Sequence, residues 1–265
     1  MELIETSKIQ LIEGYRRVYS INDYMLPDDK DTYNKYLPLS YLQKDLNDKV
    51  TFVSPIRWMD SYERRFFDLD YTSLSHPFSA PDVYCMCLTA KQAKNEDAMW
   101  RMYTKPGEVM VNVFYKINNL LNQLDSAAIR DHFKVFIGKV KYLDKKSIIK
   151  IRPSAITGFG LADYLNLLTI KRIAFDYENE VRLFVVKDRG SFKGTTDCTT
   201  AVHIRNLKKC IAKVRVSPFP PSSTSFPVPL SQDLLDQEKK IVAKQLSGIK
   251  VDSSLLYETT PKCKL

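Results

Sequence analysis

The chain has 265 residues, a formal net charge of +9, and a composition that is 44% hydrophobic and 27% charged. This balance is typical of a globular protein and excludes a chain that is disordered over most of its length. Only 8 glycines occur beside 15 tyrosines and 13 phenylalanines, which disfavours Gly-rich nucleotide-binding loops. No apolar run approaches the roughly 20 residues that a membrane-spanning helix needs, so we expect no membrane partner.

The first half of the chain is predicted to alternate short helices and strands with polar loops. The β-branched run over residues 50–54 predicts a strand, and the proline that follows it ends that strand. In chain order we predict a helix over 1–14, an extended segment over 15–21, a surface loop over 22–38, a helix over 39–47, a strand over 50–54, a loop over 72–82 and a strand over 83–88.

The second half has stronger periodic patterns and ends in a proline-rich segment, a helix and a tail. Ser231 and Gly248 provide the start and stop signals of the last helix. We predict helices over 96–103, 116–124, 161–172 and 231–246, strands over 109–113, 135–142, 180–186 and 211–216, a proline-rich surface linker over 218–229, an extended segment over 249–256 and a polar tail over 257–265.

These elements predict the fold class and the domain count. Strands outnumber simple strand–helix–strand repeats, which favours an α+β fold with a mostly antiparallel mixed sheet and surrounding helices. Residues 211–256 carry too few apolar side chains for a core of their own. We therefore predict a single domain over 1–256.

The cysteines and the first residues predict a cytoplasmic protein without a metal site. Residues 1–7 carry two glutamates and no apolar segment, so no secretory signal is expected. Irregular spacing favours reduced thiols over a disulfide frame, and the five cysteines are Cys85, Cys87, Cys198, Cys210 and Cys263. Cys85 and Cys87 lie on one side of a strand without further ligands at zinc-like spacing.

The positive charge admits two interpretations. It suits a polyanionic partner, such as nucleic acid or a phosphorylated ligand. Lysines that keep the surface solvated are favoured over a dedicated basic groove, because no basic block is longer than pairs such as Lys145–Lys146 and Lys208–Lys209.

The first segment with candidate site residues covers 52–63. A strand and a Ser-Pro turn precede Trp58, Asp60, Tyr62 and Glu63, and polar groups just past a strand end are often used in sites. The alternative is a turn in which Asp60 caps the following helix and Trp58 packs beneath it.

The second segment is the predicted helix around Trp100 and Tyr103. Their spacing of three residues places both rings on one helix face. Such a pair is usually part of the core, but it also suits the wall of a pocket that stacks on a planar ligand.

The third segment contains Glu178, Glu180 and Arg182. Alternation in a strand points these three side chains one way, and Val181 and Leu183 the other way into the core. They form either a solvated face, with an ion pair that contributes under about 1 kcal/mol, or a carboxylate held by an arginine toward a cationic transition state.

Taken in order, the segments resemble a widespread bacterial family of uncharacterised domains. Met59 and Ser61 depart from its pattern, which prefers Asn and Pro there. The matching residues are Val18–Asn22, Ser54-Pro55, Met59–Glu63, Cys85, Cys87, Met99–Tyr103, Gly107, Lys171, Phe175, Glu178, Glu180, Arg182, Ser217-Pro218 and Asp252–Ser254. The order of these motifs is similar to that of ADP-ribosyltransferase folds, including those of toxin and phage-defence systems.

The resemblance implies residue roles. Glu180 would be the catalytic carboxylate that faces an oxocarbenium-like charge, with Arg182 holding it and Glu178 orienting the acceptor. The implied residues of the NAD site are Tyr19, Ser20, Trp58, Asp60, Tyr62, Glu63, Trp100 and Tyr103.

The resemblance also implies a function. NAD would be the substrate, a protein or a nucleic acid the acceptor, and an antitoxin or immunity protein a partner. Two alternatives belong to other classes of protein. One is a non-catalytic module that binds nucleic acid or another polyanion and uses Glu-x-Glu-x-Arg as internal structure. The other is an interaction protein that uses the helix over 231–246.

Overall fold

A computed structural model describes residues 7–22, 24–26, 32–47, 49–90, 95–187, 198–221, 228–254 and 256–257. These residues form helices and a mixed, mostly antiparallel sheet, which confirms the predicted α+β class. None of the helices within these ranges has the length and apolarity to cross a bilayer. Cys263 and residues 258–265 of the predicted tail lie outside the described residues.

The elements follow one another in short segments. The strands are β1 (Ile9–Leu11), β2 (Val18–Ile21), β3 (Thr32–Pro38), β4 (Lys49–Val53), β5 (Val83–Ala90), β6 (Met110–Lys116), β7 (Phe133–Lys139), β8 (Lys141–Leu143), β9 (Ile170–Arg172), β10 (Glu180–Lys187), β11 (Thr199–His203), β12 (Ile211–Val216) and β13 (Val251–Ser253). The α-helices are α1 (Leu39–Asp45), α2 (Ser61–Asp68), α3 (Glu96–Tyr103), α4 (Ile117–Asp131), α5 (Lys145–Lys150), α6 (Leu161–Leu167), α7 (Leu207–Cys210) and α8 (Gln232–Gln245).

Two predictions near the N-terminus are wrong. Instead of a helix, residues 9–11 form β1, which pairs antiparallel with β2. Instead of a loop, residues 32–38 form β3, which pairs along its whole length with β6. In both places the hydrogen bonds of a neighbouring strand in the sheet override a weak local preference.

The predicted helix over 161–172 is too long. The helix α6 ends at Leu167, and residues 170–172 form β9, which pairs in parallel with β8. The β-branched residues Thr169 and Ile170 favour an extended backbone at this point. This ending is important for the site, because it places Lys171 on a strand.

The proline-rich linker is only partly a surface segment. Phe219 is buried, and the backbone N–H of Leu230 donates to the carbonyl of Pro218 at 2.7 Å. Residues 222–227 lie outside the described residues. Ser231 occupies the predicted N-cap position without a side-chain capping bond, and Gly248 has the positive φ of a helix stop.

The chain divides into two compact units, each made of three sequence segments. The first unit comprises residues 1–28, 50–88 and 121–204. Its strands lie in the order β1-β2-β7-β10-β5, with β4 beside β5 and β11 beside β4. The apolar core on one side of these strands includes side chains from three helices, among them Phe66, Ile148 and Tyr164.

The second unit comprises residues 29–49, 89–120 and 205–265. Within it β3 pairs with β6, β6 pairs with β12, and β12 pairs in parallel with β13. The last two residues of β5 pair with β3. Helix α8 packs against β12 and β13. The prediction that residues 1–256 unfold as one domain stays a prediction.

Candidate active site

Arg182 lies at the centre of a cluster of charged side chains in the first unit. Its side chain, on β10, is 0% exposed. Its Nε donates to Oε1 of Glu180 at 2.8 Å, and its Nη2 donates to Glu63 of helix α2. Its Nη1 donates to the carbonyl of Leu168, just after α6. Arg182 therefore joins three elements that are distant in sequence.

Lys171 is the second cation of the cluster. Its Nζ lies 2.7 Å from Oε2 of Glu178 and 2.9 Å from Oε2 of Glu180. Lys171 therefore bridges the two glutamates of the Glu-x-Glu motif. We call Glu63, Lys171, Glu178, Glu180 and Arg182 the ionic cluster.

The local backbone explains how both glutamates reach the same lysine. Glu178 ends a 3-10 helix, Ile173–Glu178, and Asn179 follows in the left-handed conformation with φ 46°. Asn tolerates this conformation better than most residues. The turn at Asn179 ends the 3-10 helix and lets β10 begin at Glu180, so Glu178 approaches Lys171 from a turn and Glu180 from a strand.

The solvated-face interpretation of Glu178, Glu180 and Arg182 is wrong. Their exposed fractions are 4%, 2% and 0%. Strand alternation does separate Glu180 and Arg182 from Val181 and Leu183, but all four are buried. The face predicted to meet water is covered instead by α2 and by the segment that carries Lys171.

Burial and neighbouring charges give the carboxyl groups of the cluster different pKa values. Burial alone would raise the pKa of Glu180, but the neighbouring Arg182 and Lys171 outweigh it and lower that pKa to about 2. For Glu178 burial prevails over the attraction of Lys171 and raises the pKa to about 7. Burial also raises the pKa of Glu63. At neutral pH, Glu180 is ionised and Glu178 is poised to exchange a proton.

The first candidate segment contributes to the cluster as well as capping a helix. Asp60 accepts a hydrogen bond from the N–H of Tyr62 at 3.0 Å at the start of α2. The same carboxylate pairs with Arg172 at 2.7 Å. The ring centre of Trp58 lies 4.1 Å from the guanidinium carbon of Arg182. The cap interpretation of Asp60 is therefore confirmed, and the capped helix also delivers Glu63 to Arg182. The use of this segment in a site stays a prediction.

Two aromatic rings flank Arg172 beside the cluster. Its guanidinium carbon lies 5.3 Å from the ring centre of Tyr62 and 5.0 Å from that of Phe175. Phe175 also lies 5.1 Å from Nζ of Lys171. Both rings are half-buried, so one side of the cluster is bordered by partly accessible aromatic and cationic groups.

Sequence reasoning missed two groups that act on Glu180, the Cys87 thiol and the Tyr142 hydroxyl. The Cys87 thiol helps to lower the pKa of the Glu180 carboxyl group, and the sulfur atoms of Cys85 and Cys87 lie 3.8 Å apart. The hydroxyl of Tyr142 accepts from the N–H of Glu180 at 2.8 Å. The spacing of Cys85 and Cys87 indicated a shared face, whereas nothing in the sequence pointed to Tyr142.

Tyr19 and Ser20 are placed on β2, which β7 separates from β10. The ring of Tyr19 stacks on Phe136 at 5.2 Å, and the hydroxyl of Ser20 donates to the carbonyl of Gln10 at 3.3 Å. These contacts are those of core packing within the first unit.

Trp100 and Tyr103 belong to the second unit. Trp100 is 0% exposed and meets the ring of Tyr36 edge-on at 4.7 Å. Tyr103 stacks on the same ring at 5.9 Å. The core interpretation describes Trp100, and the place of this pair in an NAD site stays a prediction.

The ionic cluster has the composition of an acid–base site. It contains three carboxylates and two cations, and the carboxyl groups of Glu178 and Glu180 share one lysine but differ in pKa. Such divided pairs allow one carboxyl group to stay charged while the other transfers a proton. Over the described residues, no group of three or more His, Cys, Asp and Glu side chains is arranged to bind a metal ion.

Comparisons with protein-family models, with curated proteins and with solved structures find no match to this chain.

Proposed function

We propose that the ionic cluster is the active centre of an ADP-ribosyltransferase-like enzyme that cleaves the nicotinamide–ribose bond of NAD. The observation that carries this proposal is the position of Lys171, 2.7 Å from Glu178 and 2.9 Å from Glu180. One cation thereby holds two carboxyl groups whose pKa values are about 7 and about 2.

Glu180 supplies the fixed negative charge of the reaction. When the bond breaks, its electron pair leaves with the nicotinamide nitrogen, and the ribose carbon becomes cationic. A preorganised carboxylate stabilises that developing charge. Arg182 donates to both oxygens of Glu180, and Lys171 donates to Oε2, so the Glu180 carboxylate is held in place.

Glu178 transfers the proton in this proposal. Within the described residues it accepts hydrogen bonds through Oε2 only, from Lys171. An acceptor hydroxyl or water that attacks the ribose carbon must lose a proton, and Glu178 receives it. A pKa of about 7 matches this task at neutral pH.

The partly accessible border suits a nucleotide substrate. Tyr62 and Phe175 offer ring surfaces for a base, and Arg172 lies between them. The acceptor in this proposal is a protein or a nucleic acid. The enzyme would act as a toxin or as a phage-defence effector, because such a reaction inhibits growth.

A second candidate function is a non-catalytic binding module. The observation that favours it is that Glu180 is 2% exposed, with both carboxylate oxygens hydrogen-bonded. A carboxylate whose hydrogen bonds are all made within the protein also suits a purely structural role. The ionic cluster would then stabilise the fold of a protein that binds a polyanion elsewhere on its surface.

Nicotinamide release from NAD distinguishes the two functions. The assay follows nicotinamide by chromatography, and label transfer from adenylate-labelled NAD to cellular protein or nucleic acid. We expect Glu180→Gln to lower the rate by roughly 10²–10³. Glu178→Gln should lower it as well and remove the pH dependence near 7.

The matched control is Glu96→Gln in the second unit. Glu96 pairs with Arg215 at 2.8 Å, and both side chains are largely buried. This variant loses a comparable ion pair and should keep the activity. Wild type and Glu180→Gln that cleave NAD equally, at equal thermal stability, would end the enzymatic proposal. So would a wild-type protein without NAD cleavage.

A further inference from the structure

A basic surface with apolar side chains surrounds Tyr62 in the first unit. Helices α2 and α5 both pack against β9, which brings charged residues from three parts of the chain together. We define the Tyr62 surface by its six main residues, which are Met59, Tyr62, Lys145, Lys146, Arg172 and Phe175.

Ring–cation contacts organise the centre of this surface. Lys145 Nζ lies 5.8 Å from the ring centre of Tyr62, and the guanidinium carbon of Arg172 lies 5.3 Å from it. Arg65, on the same helix as Tyr62, donates to the carbonyl of Ile148 in α5 at 3.3 Å. Helix α5 and strand β9 therefore each place one cation beside the ring of Tyr62.

The charge of the Tyr62 surface is strongly positive. Residues 141–152 contain five basic residues and one acidic residue, Asp144. Asp144 is occupied as the N-cap of α5, where it accepts from the N–H of Ser147 at 3.0 Å. Asp60 is held by Arg172, and its side chain is 8% exposed. Asp176 and Glu178, on the adjacent 3-10 helix, are further nearby acids.

Apolar side chains lie exposed among these charges. Met59 is 100% exposed, Ile173 57% and Ile149 46%. The partner that this combination fits has dense negative charge and apolar planar groups.

We infer that the Tyr62 surface binds single-stranded nucleic acid. Phosphates meet Lys145, Lys146 and Arg172, while unstacked bases contact Tyr62 and Phe175. Positive grooves with aromatic platforms bind single strands in this way, and each stacked base contributes about 1–3 kcal/mol. A duplex hides its bases inside the helix and uses only the charge.

The position of the surface connects it with the ionic cluster. Arg172 follows Lys171 directly, and Phe175 lies 5.1 Å from Lys171 Nζ. A nucleic-acid strand bound there would pass beside Glu178, the position that an acceptor must reach. This last step rests on the proposed function, whereas the binding itself does not.

Two lysine pairs provide the test. Anisotropy is measured on full-length protein with a fluorescent 20-nucleotide deoxythymidine strand, an abasic 20-nucleotide strand and a 20-base-pair duplex. Lys145→Glu/Lys146→Glu should weaken thymidine-strand binding at least tenfold. It should also reduce the salt slope by about 1.4, the value for two lost contacts to a single strand.

The control is Lys208→Glu/Lys209→Glu, which changes the net charge equally in the second unit, where both lysines are exposed. It should bind as wild type does. Tyr62→Leu should weaken binding of the thymidine strand but not of the abasic strand. Thermal melts of all variants confirm that each is folded.

Three results would overturn the inference: no binding of the thymidine strand, equal loss in both lysine-pair variants, or equal affinity for the thymidine and abasic strands. The last result would indicate a general polyanion surface, such as one for an acidic protein. Binding without NAD cleavage would contradict only the proposed function, and NAD cleavage without binding would contradict only this inference.

Discussion

The Nε of Arg182 lies 2.8 Å from Oε1 of Glu180, and the two side chains are 0% and 3% exposed. They stand two residues apart on one strand, so backbone geometry already brings them together. Since neither group reaches bulk water, each depends on the other for its charged state. Removal of one partner leaves an uncompensated charge in the interior.

We predict that Arg182→Met lowers the free energy of unfolding by about 3–5 kcal/mol, the usual cost of breaking a buried ion pair from one side. The change leaves Glu63 and Glu180 facing each other without their shared cation. Urea titration followed by circular dichroism measures the loss.

The control for Arg182→Met is Arg64→Met in the exposed pair with Asp68, where the side chains are 44% and 47% exposed. That change should cost less than about 1 kcal/mol. Equal losses in the two variants would show that the ionic cluster does not stabilise the fold.

The pH dependence of stability should carry two opposite contributions. The folded-state pKa of Glu180 is lowered from 4.5 to about 2, so its stabilisation is present above pH 4.5 and is lost as the pH falls toward 2. The folded-state pKa of Glu178 is raised from 4.5 to about 7. The folded state then keeps a proton that the unfolded chain releases, and stability falls as the pH rises from 4.5 to 7.

Glu178→Gln should therefore gain stability relative to wild type across the window from pH 4.5 to 7. The full shift corresponds to about 3 kcal/mol, at roughly 1.4 kcal/mol per pKa unit. Melting temperatures measured at half-unit steps from pH 4 to 8 test this. A constant difference between the variant and wild type across the window would refute the raised pKa of Glu178.

A fragment that ends at residue 217 should not form a stable second unit. It loses β13, which pairs with β12 from Val214↔Val251 to Val216↔Ser253. It also loses the buried side chains of Leu235, Val242 and Leu246. We expect rapid tryptic digestion of this fragment and a protected core in a control that ends at residue 257. A stable, protease-resistant 1–217 fragment would contradict the predicted single domain.

Local sequence determined several features by itself. The pattern of residues 96–103 predicts α3 with its observed bounds, and one of the two interpretations of residues 52–63 gives Asp60 as the helix cap that precedes α2. The alternation after Glu180 correctly separated charged from apolar side chains. These features depend on backbone preference and on neighbours within a few residues, which the sequence displays directly.

The tertiary structure alone decided what covers each face. Alternation assigns Glu180 and Arg182 to one side of a strand, but it contains no information about α2 or Lys171. These two pack over that side, so its charged groups form a buried ionic cluster instead of a solvated face. The pairing of β3 with β6 likewise joins residues such as Tyr33 and Tyr115 that lie far apart in sequence. No local pattern reports such a contact.

The basic surface shows the same division. In the sequence the lysines occur singly or in short pairs. Charge density depends on distances in space, which the sequence does not display. Packing of α2 and α5 against β9 brings Lys145 and Arg172 to the same ring, Tyr62. Local preference therefore determined some elements, such as α3, and contacts between distant segments decided where charge is buried and where it is concentrated.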